Sequence, residues 1–133
     1  MGLLLFNKRI LFLILLAGAF CSKSMAQADT SFLGVWKGTS ICQQKNSPCH
    51  DETVVYYITR NKNQQVEIRA NKIVNGKEDE MGVIEFRYEE KTKEIVSVSQ
   101  PNAVWRFKRT GDHLDGTLYV RNELFRIIKL LKD

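Results

Sequence analysis

The chain has 133 residues, 44% hydrophobic and 26% charged, with a formal net charge of +5. Three basic residues (Lys8, Arg9 and Lys23) and no acidic ones precede Gln27, so the chain from Gln27 onward carries 17 basic and 15 acidic groups, net +2 over 107 residues. That length makes one domain, and that balance leaves no clustered basic footprint for nucleic acid.

The first element reads as an export signal over residues 1–26. Lys8 and Arg9 open it, and Ile10 to Phe20 is an eleven-residue run without a polar side chain. Ser24-Met25-Ala26 then places small residues at the −3 and −1 positions of a cleavage site. The apolar run falls short of the roughly 20 residues that a spanning helix needs, so no transmembrane segment is expected. This predicts a mature domain over 27–133, in the periplasm or outside the cell. A second reading makes Cys21 the anchor of a lipoprotein, although Phe20 before it is bulkier than a lipidation motif prefers.

Cys42 and Cys49 are the cysteines that remain after cleavage. In an exported chain such a pair predicts a disulfide, and closing so short a loop contributes about 2–3 kcal/mol. Cys42, Cys49, His50, Asp51 and Glu52 also form the densest group of potential metal ligands. The C-x6-C-H spacing matches no standard finger, and oxidation would consume both thiolates. The cluster therefore reads as a disulfide-pinned loop with turn chemistry at Asn46-Ser47-Pro48, and neither metal nor cofactor is expected.

The rest of the chain alternates apolar and polar residues between regular breaks. Asn75-Gly76 is the strongest break, because a type I′ hairpin turn needs positive φ at both central residues. Eight strands are predicted, over 34–43, 51–60, 64–74, 77–89, 93–100, 103–110, 113–121 and 123–132. Val66, Ile68 and Ala70 in the third, Ile84, Phe86 and Tyr88 in the fourth, and Trp105 and Phe107 in the sixth mark core-facing positions. Residues 122–132 also fit a helical stripe, but a last strand closes the meander. An eight-stranded meander has two exposed edges, and closure into an up-and-down barrel removes both. The fold class is therefore all-β, an eight-stranded antiparallel barrel in a single domain.

Charge is uneven along these strands: residues 76–101 carry net −3 and residues 102–133 net +3. Complementary strands meeting in one sheet would account for this; a basic face for an anionic partner is the alternative.

Phe32-Leu33-Gly34-Val35-Trp36-Lys37-Gly38 resembles the G-x-W motif that opens the first strand of lipocalins and related calycin barrels. The resemblance implies that Trp36 plugs the closed end of the barrel beneath a basic residue of the last strand, Arg126 first and Arg121 second. A cation over an indole is worth about 0.5–2 kcal/mol. The chain departs from lipocalins in lacking a wide lid loop and room for a C-terminal helix, so no ligand class carries over.

The aromatic residues Tyr56, Phe86, Tyr88, Trp105, Phe107 and Tyr119 are the candidates to line a ligand pocket at the end away from Trp36. His50 and His113 lie beside turns with Asp51, Asp112 and Asp115 nearby. No nucleophile motif accompanies them, and no enzyme is expected. An axial role for His113 toward haem is a poor match between two acids. The leading expectation is an exported lipocalin-like protein that binds an apolar or amphipathic small molecule. The alternative is a protein-interaction or inhibitor module with a filled core, a role for which small one-disulfide barrels similar in size serve against lysozymes.

Overall fold

A computed structural model describes residues 30–98 and 100–133; both the cleavage site near Ala26 and Cys21 lie outside the described residues. A short 3-10 turn, Thr30–Phe32, leads into β1 (Gly34–Cys42), β2 (Glu52–Arg60), β3 (Val66–Val74) and β4 (Lys77–Glu89). These are followed by β5 (Glu94–Ser97), β6 (Ala103–Thr110), β7 (His113–Val120) and β8 (Glu123–Lys132). Each strand pairs antiparallel with the next, and β8 pairs with β1, closing the barrel in sequence order. The stretch that also fits a helical stripe is thus the closing strand. Its partner β1 supplies the ladder that an isolated helix would have had to make internally.

The turns carry the chemistry expected of them. Asn75 and Gly76 both have positive φ, 51° and 78°, and join Val74 to Lys77 in a two-residue hairpin. Arg121 and Asn122 do the same between β7 and β8, at 49° and 66°.

One boundary differs markedly from expectation. The fifth strand ends at Ser97, not 100. Pro101 cannot donate to a ladder, and the Trp105 N–H donates to the Ser97 hydroxyl, 3.0 Å, in place of a backbone carbonyl.

Register assigns the faces. Trp36 pairs with Tyr56, Tyr56 with Ala70, Phe86 with Ser97, and Phe107 with Gly116. Directly opposed residues share a face, and these point inward. Trp36, Tyr56, Ile58, Phe86, Ile95, Phe107, Leu114, Ile128 and Leu130 are all essentially without solvent contact. Phe107 lies at the centre, edge-on to Tyr56 at 6.0 Å and to Phe86 at 5.7 Å. The middle of the barrel is therefore packed side chain against side chain.

Acid and base meet across strands where the charge asymmetry suggested. Arg106 on β6 reaches Glu89 and Glu94, each at 3.2 Å; Lys129 on β8 and Asp115 on β7, 3.0 Å apart, pair within the net-basic segment itself.

Candidate functional site

Up-and-down order puts the start of β1 and the end of β8 at one end of the barrel, and the disulfide loop at the other. The first end is sealed. Trp36 is 0% exposed, and its indole Nε1–H donates to the Phe32 carbonyl, 2.8 Å. Phe32 packs edge-on against Tyr88, 6.3 Å between ring centres. The cation over Trp36 is Lys132, with Nζ 5.3 Å from the ring centre and donating to the Leu33 carbonyl at 3.0 Å.

The expected Trp36–Arg126 clasp is thereby corrected. Trp36 pairs with Lys132, whereas Arg126 pairs with Cys42, six residues and about 20 Å further along β8. Arg121 lies in the β7–β8 turn, further still.

Arg126 stands at the open mouth. Its Nη1 donates to the Ser40 carbonyl (3.2 Å), the Ser40 hydroxyl (3.3 Å) and the His50 carbonyl (2.9 Å). The Glu52 carboxylate lies at 3.7 Å. Arg126 thus straps the disulfide loop to the barrel wall. The loop is held further by Gln43 N–H to the Phe125 carbonyl (2.9 Å) and Gln44 Nε2 to the Leu124 carbonyl (2.9 Å). Cys42 N–H donates to Asp51 Oδ1 at 2.9 Å. The Cys42–Cys49 disulfide is present, with Cα atoms 5.9 Å apart, so neither sulfur is available as a thiolate ligand. Among the described residues no group of three or more His, Cys, Asp or Glu side chains is placed to hold a metal ion.

The six aromatic pocket candidates separate into four places. Tyr56, Phe86 and Phe107 form the solid middle layer. Tyr88 shares the inner face but sits at the sealed end against Phe32. Tyr119 is on the outer wall, 40% exposed, because its neighbours Leu114, Gly116 and Leu118 take the inner positions of β7. Only Trp105 faces inward at the mouth while remaining partly accessible, stacked on Phe107 with 6.4 Å between ring centres.

The mouth has two unlike sides. Around Trp105, the inner face carries Ala70, Gly82, Ile84 and Leu118. Across from them stand Ser40, Glu52 and Arg126. Ser40 and Ser97 carry no aromatic or charge-motif signal in the sequence, and Glu52 stands out there only as part of the cluster with Cys42, Cys49, His50 and Asp51. Lys132 was findable, since up-and-down order puts the last residues of β8 beside the first of β1.

Tyr56 links the two layers. Burial raises its hydroxyl well above the ordinary value of 10, and the nearby Glu52 carboxylate adds to this while Arg126 opposes it. The phenol therefore stays protonated at any physiological pH.

Compared with protein-family models, curated proteins and solved structures, the chain matches none. The likeness to lipocalins thus consists of the closed eight-stranded barrel and the Gly34-Val35-Trp36 opening. Among the described residues no helix is long and apolar enough to cross a membrane.

Proposed function

We propose that this is a small exported, non-enzymatic binding protein of lipocalin-like form that takes an amphipathic small molecule at its open mouth. The supporting observation is the division of the mouth lining, with Trp105 and Ile84 on one side and the Arg126–Glu52–Ser40 group on the other. A ligand laid across it would place an apolar portion on the indole and a polar head near the guanidinium. The packed layer of Phe107, Tyr56 and Phe86 limits depth, so the ligand is short or projects outward, in contrast to one swallowed by a deep calyx. The Cys42–Cys49 bond supports an oxidising compartment.

The test is a titration of the mature chain with fatty acids of increasing length, following Trp105 emission and the melting temperature. Saturable shifts that stop growing beyond medium chain lengths, and that vanish in Trp105→Ala, are expected. Unchanged emission with every amphiphile would remove the proposal.

The same packed middle layer favours a second reading, a protein-interaction module that works through its surface.

A further inference from the structure

β4 is the longest strand of the barrel and β5 the shortest. β5 pairs with β4 only from Phe86 to Glu89, and one more bond runs from the Val98 N–H to the Glu85 carbonyl, 2.9 Å. From Lys77 to Val83, among the described residues, β4 pairs only on its β3 side. Main-chain groups of an antiparallel strand alternate sides. Since the Glu85 carbonyl faces β5, the N–H and carbonyl of Val83 point the same way, and no strand of the described residues is there to receive them. Ala70 pairs with Gly82 and Asn71 with Glu80, so Met81 is an extra residue that bulges β4 within this stretch; the β3–β4 hairpin carries exposed apolar side chains, Val74 at 43%, Met81 at 42% and Val83 at 50%.

An uncovered edge with exposed apolar residues is a template for another strand. Natural edges of this kind are commonly blunted with charges, lysine above all, with proline or with a bulge; here a bulge sits at Met81 and the charges are mostly acidic. Between residues 77 and 85 there is no proline, and one lysine stands against Glu78, Asp79, Glu80 and Glu85, net −3. Glu78 is turned to its own barrel, accepting from Tyr57 Oη at 2.9 Å and from Asn71 Nδ2 at 2.7 Å. Its pKa is lowered by those bonds, Asn71 first. Two such edges brought together would add like charge to like, so a second copy is disfavoured and a basic strand is attracted.

We propose that the open edge of β4, Lys77–Val83, accepts an extended, lysine- or arginine-bearing segment of another protein as an added strand. Main-chain bonds would supply affinity, and alternate side chains against Met81 and Val83 would supply selectivity. This gives the interaction-module reading a place and a partner chemistry, and it stands apart from the mouth.

The experiment is an amide-resolved NMR and hydrogen-exchange titration of the isotope-labelled mature chain with a synthetic octapeptide alternating lysine and valine. Shifts confined to residues 78–83, with slowed exchange at those amides that face away from β3, Val83 above all, are expected. They should be lost with a glutamate–valine peptide and with an Asp79→Lys/Glu80→Lys variant, whose exposed substitutions leave the fold intact. Three results would overturn the proposal. One is perturbation on another wall, which would leave an interaction module that works elsewhere. The second is no perturbation at millimolar peptide, and the third is protection of the Val83 amide, which faces away from β3, before any peptide is added, the mark of a second copy on the edge.

Discussion

Phe107 occupies the centre of the molecule because Gly116 opposes it. A Cβ at position 116 would run into the Phe107 ring, so the glycine is there for close approach. Gly116→Ala is expected to cost about 1–3 kcal/mol through overpacking, and Phe107→Ala about 3–5 kcal/mol through the cavity it leaves. Denaturant melts of the two variants check both, and near-neutral values would show that the middle layer has slack. Tyr56 makes a pH prediction at the same scale. Its pKa is raised in the folded state, chiefly by burial, so the folded chain keeps a proton that the unfolded chain gives up above pH 10. The stability this confers is complete below pH 10 and drains as pH rises beyond it, at about 1.4 kcal/mol per pH unit for one proton. Tyr56→Phe should remove that share of the alkaline slope in urea melts between pH 9 and 11, and an unchanged slope would mean the phenol is not held protonated.

Among the elements, the two hairpins with positive φ at both central residues differ in how well those residues suit them. Asn75-Gly76 is ideal for its turn, whereas Arg121 adopts φ 49°, a region that costs most L-residues 1–2 kcal/mol. Its side chain is exposed, and its backbone N–H bond to the Asn102 carbonyl, 2.9 Å, does not depend on side-chain identity. Arg121→Asn is expected to stabilise the protein by roughly 0.5–1 kcal/mol, seen as a higher melting temperature; a lower one would show that the arginine side chain makes a contact the turn relies on. The strands themselves were legible because period-two patterning survives in most of them, and the hairpin at 75–76 was fixed by composition. β5 was not legible past Ser97, since a side-chain hydroxyl, invisible to any pattern, ends that ladder. The identity of the clasp was missed for another reason. Which residue of β8 meets Trp36 depends on the register of the closing pair, and Arg126 looked suitable by type while sitting at the wrong end. Tyr119 and Tyr88 were within reach of the sequence: alternation around Leu118 turns Tyr119 outward, and strand order sends the end of β4 to the sealed pole.

At the scale of the whole molecule, a single domain of this size is stable by roughly 5–11 kcal/mol, so the short disulfide loop matters. Replacing Cys42 and Cys49 by Ala should lower stability by about 2–3 kcal/mol. The Arg126 and Gln44 bonds that hold the loop to β8 are expected to survive, so the barrel spectrum by circular dichroism should be retained. Loss of the sheet signal would mean that the loop nucleates closure. The barrel is packed from Trp36 to Phe107, and on the proposed function a ligand would be confined to the level of Trp105 and above. The two indoles mark its limits, Trp36 at the sealed pole and Trp105 at the mouth. The most direct measurement is an NMR titration of residues 27–133 with dodecanoate, following both indole N–H signals and the Phe107 ring. Movement of the Trp105 signal to saturation, with Trp36 and Phe107 unmoved, is the predicted result. Movement of Phe107 or Trp36 would reveal a ligand penetrating the interior and would contradict a solid barrel that binds at its rim.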